Sequence, residues 1–434
     1  RQVMSNRKDI TNYCIDVMLK AGIQKAQCIL RDSSKDEFNV DSGEISLLRT
    51  TNDTSLFMMG IIDDKRGSIS INKTDTESID RAVKEVLDLA ESSEADSAND
   101  ISELQPSRIF QKGPTESNLN LMYDRITAFL EYSRKTYPLL ILEQAILDFV
   151  SKKLYFRNSN GVYFESYNGI YNFSPMFTSK EGTETSSFNY SGFSSGNLDR
   201  ELHEYGSIDT LMRQSTEQIK TEEISGKFTG DIIITPDCMD AFLSYISMFL
   251  SDYPLICGTS IYKDSLNELI ADPQLTLHSK PVSDEIADGY FITLDGFEAR
   301  NSTIIENGVL NTFLLSLYGA NKTGKPKAVN AGGAYVIDPG KHSFEEMVSS
   351  VKKGILMCRF SGGNPSDNGD FSGVCKNSYY IENGEILYPV RETMISGNLG
   401  KALKDIRRIS KERIDFGSEI LPWIQVGDIT ISGK

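Results

Sequence analysis

Apolar and polar positions follow two alternating periods in the N-terminal part of the chain. Residues 9–21 repeat apolar side chains at a helical spacing, which predicts a short amphipathic helix. The next segments alternate as the strands of an antiparallel sheet do: 26–32, 37–51, 55–64 and 66–72. A second helix is predicted over 79–90, because apolar residues return to one face after the polar start at 75–78. Residues 1–91 are therefore predicted to form one α+β unit.

The same order of elements returns further along the chain. A helix is predicted over 117–136, followed by strands over 153–160, 161–169, 170–180 and 183–191. The next helix opens with Ser207-Ile208-Asp209, as the earlier one opens with Ser78-Ile79-Asp80. An old duplication would keep this order while identity fades, so we predict a second, similar unit over 117–226. Two sheets are expected, each with one helix-covered face, joined by a linker over the polar stretch 92–116.

Residues 227–434 are predicted to form a predominantly β C-terminal domain. It opens with the apolar strand GDIIIT and a helix from Pro236 to Asp252 that is apolar nearly all round and therefore buried. Thr235 is its predicted N-cap, with Pro236 at the first helical position. The fold class is thus predicted as α+β, with duplicated antiparallel sheet-plus-helix units before a β-rich domain.

Turn chemistry is concentrated in this last domain. Two hairpins are predicted at Asn307-Gly308 and Asn383-Gly384, because a type I′ turn needs positive φ at both central residues. The segment from Ser361 to Gly373, called the glycine-rich crossing below, is rich in glycine. Positive φ is expected there at three pairs: Gly362-Gly363, Asn368-Gly369 and Ser372-Gly373.

Composition excludes several classes of partner. The chain has 434 residues, a net charge of -16 and a pI of about 4.8, which argue against nucleic acid because phosphate contacts need clustered Lys and Arg. No membrane association is expected, because the apolar run Ala241–Leu250 is too short to span a bilayer and no signal sequence opens the chain. The cytoplasm is the expected location. Residue 1 is Arg, so a segment before it is left open.

The cysteines are widely spaced and mostly lie in apolar runs. They are Cys14, Cys28, Cys238, Cys257, Cys358 and Cys375. No pair has C-x-x-C spacing, and a disulfide scaffold would be shorter and denser in cysteine. We predict reduced core residues.

Three ordered blocks, 60–72, 289–324 and 354–398, resemble the PmbA/TldD family, long called modulators of DNA gyrase and understood as a proteolytic system. The resemblance covers almost the whole chain. It implies that catalytic TldD-like members carry an H-E-x-x-x-H signature on the helix after the GDIIIT strand, with a cysteine near the C-terminus as a further zinc ligand. Such a site needs two imidazoles on one helix face, a third ligand and a glutamate base.

This chain departs from that signature. The helix from Pro236 to Asp252 has neither His nor Glu, and the C-terminal block 413–434 has no Cys. The degenerate positions are occupied by Leu243, Ser244, Tyr245 and Ser247. The resemblance then implies the PmbA (TldE) branch, with no metal in this chain and zinc in a catalytic partner.

The three histidines are predicted to have structural roles. His203 begins an H-E fragment, but Ile208 stands where the second histidine belongs, so a polar residue before a helix start is favoured. His278 is predicted as a strand residue facing solvent or a partner. His342 is predicted in a loop before the helix SFEEMVSSVKK.

Two formal motif matches are weak. Gly319–Lys325 fits G-x-x-x-x-G-K, but Pro326 replaces the Ser or Thr and disfavours a helix at Lys325, so a surface loop is predicted. Gly192–Gly196 fits G-x-S-x-G without a clear following helix, and a flexible loop is predicted.

Carboxylates provide a further enzymatic option. Asp295, Glu298, Asp367 and Asp370 lie beside glycines in the C-terminal domain, where two in one cleft would support acid–base chemistry. Asp also forms turns by capping backbone N–H groups, which is the expected role.

The resemblance implies a function in proteolysis or in the maturation of small unfolded peptides. In the first hypothesis, the chain is a non-catalytic subunit that forms a heterodimer with a TldD-like metallopeptidase and completes a chamber around an extended peptide. Isolated, it would form a homodimer through the same surface. The alternatives are an autonomous peptidase with an unrecognised site and a regulatory interaction protein without proteolysis.

The glycine-rich crossing is the candidate substrate or partner loop, with a simple connector as the alternative. Its predicted residues are Arg359, Ser361, Gly362, Gly363, Asn368, Gly369, Asp370, Phe371, Ser372 and Gly373.

Overall fold

The computed structural model describes residues 6–433. The helices are α1 (Arg7–Lys20), α2 (Thr76–Ser92), α3 (Leu119–Thr136), α4 (Ile208–Glu217), α5 (Met239–Leu250), α6 (Asp252–Cys257), α7 (Leu317–Thr323), α8 (Phe344–Ser350) and α9 (Leu399–Lys404). Short 3-10 helices cover Leu202–Glu204 and Pro236–Cys238. None of the helices within residues 6–433 combines the length and apolar character that a membrane crossing requires.

The N-terminal half is built on one nine-stranded sheet. Its strands are β1 (Lys25–Asp41), β2 (Glu44–Ile62), β3 (Lys65–Ile71), β4 (Arg108–Lys112), β5 (Leu140–Asn158), β6 (Tyr163–Glu181), β7 (Glu184–Thr185), β8 (Asn189–Tyr190) and β9 (Phe193–Ser195). The order is β3-β2-β1-β5-β6-β4, with β7, β8 and β9 along β6.

The prediction of two separate sheets is wrong, because a strand of the first unit pairs with a strand of the second. β1 pairs with β5 from Gln27↔Asn158 to Asp41↔Gln144, so the two units continue one ladder. Two apolar clusters nevertheless keep the repeated composition. One joins α1 and α2 to β1–β3, and the other joins α3 and α4 to β5 and β6. Each helix pair buries its apolar face on its own part of the common sheet.

Several strands are longer than predicted. The sequence pattern predicts separate strands over 26–32 and 37–51. In the structure, β1 continues through the polar residues 32–36 and turns into β2 at Ser42-Gly43, where φ is 51° and 81°. Segments 161–169 and 170–180 likewise merge into β6. The stretch 92–116 is more than a linker, since β4 pairs in parallel with β6 from Arg108↔Phe164 to Lys112↔Asn168. The four domain boundaries themselves stay predictions.

The C-terminal half is built on a thirteen-stranded sheet, and the α+β class is confirmed. Its strands are β10 (Lys227–Ile234), β11 (Leu277–Ser279), β12 (Ser302–Glu306), β13 (Val309–Leu310), β14 (Tyr335–Ile337), β15 (Lys353–Met357), β16 (Arg359–Gly362), β17 (Asp370–Lys376), β18 (Ser378–Glu382), β19 (Glu385–Val390), β20 (Thr393–Asn398), β21 (Ile406–Asp415) and β22 (Ile420–Ser432). β22 pairs with β10, β14, β20 and β21, and therefore organises the domain.

Both predicted Asn-Gly hairpins are confirmed. The φ angles are 47° and 82° at Asn307-Gly308 and 49° and 76° at Asn383-Gly384, as a type I′ turn requires. The glycine-rich crossing is different from the prediction. It forms the hairpin of β16 and β17, and of its predicted turn residues only Gly369 has positive φ, at 92°.

Three further local predictions need correction. The segment Gly319–Lys325 is mostly helical, because α7 runs to Thr323 and ends at Gly324 in the left-handed region. Gly192–Gly196 contains β9, which pairs with β6 through Phe193↔Phe173, and so is not a flexible loop. All six cysteines are free and all but the exposed Cys257 are buried.

Candidate functional site

The helix predicted to carry the degenerate site divides into the 3-10 turn Pro236–Cys238 and α5. Thr235 occupies the N-cap position, but its side chain makes no capping hydrogen bond. On α5, Leu243 and Tyr245 are buried in the largest apolar cluster of the C-terminal domain. Ser244 is exposed, and the Ser247 hydroxyl, half-buried, donates to the Ser244 carbonyl at 3.1 Å. The four predicted positions therefore do not converge on one pocket.

The structure brings α5 and the glycine-rich hairpin together. The Tyr245 hydroxyl donates to the Gly363 carbonyl at 2.8 Å. The Phe242 ring lies 5.5 Å from the rings of both Phe360 and Phe371, measured between centroids. The two predicted parts of the site thus form one packed layer, in which aromatic rings of α5 support the base of the hairpin.

The tip of this hairpin is held by polar groups of its own loop and by Asn398 at the end of β20. The Asp370 carboxylate accepts from Asn398 Nδ2 at 2.9 Å and from Asn368 Nδ2 at 3.1 Å. These hydrogen bonds, that of Asn398 first, lower the pKa of Asp370. The expected turn-forming role of Asp370 is consistent with this network. Ser361, Gly362, Gly363, Asn368 and Ser372 are exposed, while Gly369, Phe371 and Gly373 are buried.

Arg359 at the start of β16 contacts the N-terminal sheet. Its Nη2 donates to Asn189 Oδ1 at 2.9 Å and to the Tyr190 carbonyl at 2.8 Å. The guanidinium also lies over the Tyr190 ring, 3.6 Å from the centroid. Arg359 is therefore a tie between the two halves of the molecule.

A cleft of about 400 Å³ opens beside Arg359 at the N-terminal end of α5. Three carboxyl groups line it, those of Asp237, Asp240 and Glu419. Burial raises the pKa of Asp237, whose Oδ1 accepts from the Ser191 hydroxyl at 2.9 Å. Burial also raises the pKa of Glu419 well above its ordinary value, and the hydrogen bond it shares with Asp240 raises it further. Glu419 therefore keeps its proton to a higher pH than an ordinary carboxyl group does.

Sequence reasoning did not single out Asp240 or Glu419. Asp240 lies in the first turn of α5, where an acidic residue is already favoured by the helix dipole. Glu419 lies in a turn before β22, within the C-terminal block 413–434, where the family signature would place a cysteine and marks no glutamate. Their proximity depends on packing between distant segments.

The histidines are dispersed and engaged. His203, in the 3-10 turn ahead of α4, stacks on Tyr132 at 3.6 Å between ring centroids. His278 is a strand residue but does not simply face solvent. It is half-buried, with Nδ1 2.8 Å from Thr303 Oγ1 and Nε2 2.9 Å from Asp338 Oδ1. His342 precedes α8, as predicted.

The other motif residues have structural partners. The Ser194 hydroxyl donates to Asn172 Oδ1 at 2.6 Å. Lys325 Nζ donates to the Lys263 carbonyl at 2.9 Å. Asp295 accepts from the Thr293 hydroxyl and the Leu317 N–H, and Glu298 pairs with Arg108. Asp295 and Glu298 are therefore committed to structural contacts.

The residues on α5 do not fit a zinc ion. The inward positions of α5 are packed with apolar and aromatic side chains. A zinc site needs imidazole, thiolate or carboxylate ligands that converge. Nowhere in residues 6–433 do three His, Cys, Asp or Glu side chains form a metal-ligand group.

Comparison with known proteins places this arrangement in context. Residues 225–433 match the family described as the PmbA/TldA metallopeptidase C-terminal domain. A zinc metalloprotease TldD homolog of Saccharolobus solfataricus is 30% identical over 199 residues, covering 43% of this chain and 44% of that protein. Metalloprotease PmbA of Escherichia coli is 30% identical over 187 residues, covering 39% and 41%. The crystal structure of TldE from Thermococcus kodakarensis has a TM-score of 0.82 at 17% identity, covering 98% and 99%.

The sequence matches and the structural match cover different shares of the chain. In the alignments the chain spans less than half the length of the two curated relatives. The structural likeness extends over nearly the whole chain and shows that the N-terminal half shares the fold. The equal identities to a TldD homolog and to PmbA do not separate the two branches.

Proposed function

Because residues 225–433 make this chain a member of the PmbA/TldD family, we propose that it is a PmbA (TldE)-like, non-catalytic subunit of a TldD-type metalloprotease system. The observation that carries the proposal is the content of α5. The positions that would present zinc ligands and a base are used instead to fill the core and, through Tyr245, to hold the glycine-rich hairpin. A helix committed in this way supports the architecture of a site without providing its chemistry.

The proposed substrate is an extended peptide, and the N-terminal sheet has a suitable edge. β3 pairs with β2 only from Leu56 to Ile62. Among the described strands, none covers the outer edge of β2 over residues 44–55. A peptide can add to such an edge through main-chain hydrogen bonds, without strict sequence selection. That suits a system which acts on small unfolded peptides.

The glycine-rich hairpin is the proposed wall of the chamber or contact with the catalytic partner. Its exposed segment 361–364 projects no large side chain, and its two strands are fixed on α5 by Phe360 and Phe371. The partner would be a TldD-like metallopeptidase that contributes the zinc. The free cysteines suit a reducing compartment, and the cytoplasm is the proposed location.

The deciding experiment measures zinc content and peptide hydrolysis together. The chain would be purified from a host that lacks any H-E-x-x-x-H relative, then assayed alone and after mixing with such a relative from its own genome. Zinc and hydrolysis only in the mixture, in a complex that contains both chains, support the proposal. Stoichiometric zinc and hydrolysis by the chain alone contradict it.

A second candidate function is favoured by the carboxyl pair of Asp240 and Glu419. Two carboxyl groups in one cleft, one of them with a raised pKa, can act as acid and base towards a peptide bond. The chain would then be an autonomous peptidase. Hydrolysis that survives a chelator and is abolished in both Asp240→Asn and Glu419→Gln would establish it.

A regulatory protein without proteolysis is the remaining alternative. It predicts a stable complex or homodimer but no hydrolysis, alone or with the H-E-x-x-x-H relative. The same mixing experiment, read by light scattering as well as by product formation, distinguishes it from the subunit proposal.

A further inference from the structure

A cavity of about 690 Å³ lies between the two halves of the molecule, away from α5. One wall is the face of the N-terminal sheet that carries Ile29 and Arg31 of β1, Phe57 of β2 and Arg66 of β3. The opposite wall comes from residues 294–295 and 316–318 of the C-terminal half. The walls are tied together, because Gln27 Nε2 donates to the Leu294 carbonyl at 3.1 Å.

Two arginines in this cavity have no side-chain partner among the described residues. The side chains of Arg31, which is half-buried, and Arg66, which is exposed, make no hydrogen bond or ion pair with any residue in the described part of the chain. In a protein with a net charge of -16, carboxylates are abundant, yet none of those within residues 6–433 forms an ion pair with either guanidinium. All their donors are available to a ligand.

Most of the acidic residues in the same cavity are already engaged. The Tyr318 hydroxyl, the Ala98 N–H and Lys322 hold the pKa of Asp96 at about 2. Asp100 pairs with Lys25 at 2.9 Å. Asp295 is bound by Thr293 and by the Leu317 N–H, as described above, while Glu94 is exposed. The unused hydrogen-bonding capacity of the cavity therefore lies chiefly with cations.

The rest of the lining suits an apolar group beside an anion. Leu294 is 63% exposed, although it lines a cavity, and faces it together with Phe57 and Leu317. A volume of this size is within the range of roughly 300–1,000 Å³ typical of ligand sites that combine apolar walls with a few polar anchors. Arginine also binds carboxylates in a planar, two-pronged geometry.

Arg31 stands where this cavity meets a second one. The second cavity, of about 460 Å³, runs along the same part of the sheet past Ser55 and under residues 287–292. Arg31 lines both cavities. A chain that lies along the second cavity would therefore reach Arg31 with its end.

We propose that Arg31 and Arg66 bind the terminal carboxylate of an extended peptide, whose last side chain packs against Leu294 and Phe57. The inference rests on the proposed function in peptide handling. It adds the direction in which the peptide chain would lie. The peptide would be held by its carboxyl end in the larger cavity, with the preceding residues in the smaller one.

The test is direct binding to the intact chain, without any hydrolysis. An N-terminally fluorescein-labelled decapeptide ending in Val-Leu would be titrated as the free acid and as the C-terminal amide, with fluorescence anisotropy as the readout. Amidation removes the charge of the carboxylate, and Arg31→Gln and Arg66→Gln each remove one guanidinium. Each change loses a charge-assisted hydrogen-bonding pair and is expected to weaken binding about tenfold. Arg408→Gln is the matched control, since Arg408 is also a half-buried arginine without a partner among the described residues, and lies outside both cavities.

The outcomes separate this inference from the function on which it rests. Equal affinity for acid and amide, or variants at Arg31 and Arg66 that match the control, would overturn the carboxylate site while leaving peptide binding intact. An amide with Glu near its end that binds as tightly as the acid would overturn the assignment to the terminus. Failure of every peptide to bind would overturn both. The acid–amide comparison needs no variant, so misfolding cannot obscure it, and Arg31→Lys should recover part of the affinity.

Discussion

The Tyr245 hydroxyl donates a hydrogen bond to the carbonyl of Gly363, at 2.8 Å, and joins α5 to the tip of the glycine-rich hairpin. This single bond links the helix on which the family resemblance places its chemistry to the loop proposed to face the substrate or the partner. The burial of Tyr245 raises the pKa of its phenol, so the hydroxyl remains a donor throughout the physiological range.

Removing that hydroxyl tests the link. Tyr245→Phe keeps the ring contact with Phe371 but leaves the Gly363 carbonyl without this donor. We expect a loss of about 1 kcal/mol in the free energy of unfolding and faster proteolysis within 361–369. Tyr253→Phe is the control, because Tyr253 is 77% exposed and its hydroxyl has no hydrogen bond among the described residues. Equal proteolysis of the two variants would contradict the link.

Replacing neighbouring residues of α5 tests whether the degenerate positions are now structural. Leu243→Ala should reduce the free energy of unfolding by about 2–5 kcal/mol, because it leaves a cavity in the largest apolar cluster. Ser244→Ala on the exposed face should change it by no more than about 0.5 kcal/mol. Denaturant unfolding of the two variants gives the comparison. Similar stabilities would show that α5 is not a core element.

The features that sequence could predict depend on local chemistry. Asn383-Gly384 and Asn307-Gly308 specify type I′ turns by themselves, since few other residue pairs tolerate positive φ twice. The continuity of β1 was missed because its polar segment 32–36 is stabilised by pairing on both sides, with β2 and β5. Tertiary pairing there overrides the local hydrophobic pattern.

The candidate site was only partly predictable for the same reason. The family resemblance pointed to α5 and the hairpin, which do lie together. Asp240 and Glu419 come from opposite ends of the C-terminal domain, so no local pattern indicates their contact. That Arg31 and Arg66 have no side-chain partner in the described part of the chain is likewise a property of packing, because a sequence rich in carboxylates suggests the opposite.

The contacts of Arg359 with Asn189 and Tyr190, which connect the two halves of the molecule, should contribute measurably to the free energy of unfolding. Arg359→Ala removes two hydrogen bonds and the contact with the Tyr190 ring. It leaves Asn189 Oδ1, at a residue that is 2% exposed, with the Tyr190 N–H as its remaining donor. The expected loss is about 1–3 kcal/mol. Arg408→Ala is the control for loss of an arginine that has no such partners. A two-state unfolding curve that matches the control would show that the tie contributes nothing.

Two glycines in the strands of the hairpin, Gly362 and Gly373, serve close packing rather than positive φ, which gives a paired test. A Cβ at Gly373 would lie 2.5 Å from the Ser361 carbonyl oxygen and 2.7 Å from the Phe360 ring, whereas one at Gly363 meets nothing within 4 Å. Gly373→Ala should therefore separate β16 from β17 and cost about 1–3 kcal/mol. Gly363→Ala should be neutral or stabilising by about 0.4–1 kcal/mol, because it restricts the unfolded chain. Thermal unfolding distinguishes them, and equal shifts would contradict the packing role.

The carboxyl pair in the cleft predicts a specific dependence of stability on pH. The folded state raises the pKa of Glu419, mainly through burial and then through Asp240, so across the window above the ordinary carboxyl range the folded chain binds more protons than the unfolded chain. The stability that Glu419 contributes is therefore complete below its unfolded pKa and is lost as the pH rises through its folded pKa. Glu419→Gln mimics the protonated form and should flatten this decline, becoming more stable than the parent at alkaline pH. Glu385→Gln, at an exposed strand position, controls for the charge change. Parallel stability curves for the parent and Glu419→Gln from pH 5 to pH 9 would show that the pKa of Glu419 is not raised in the folded chain, and would remove the basis for the acid–base candidate.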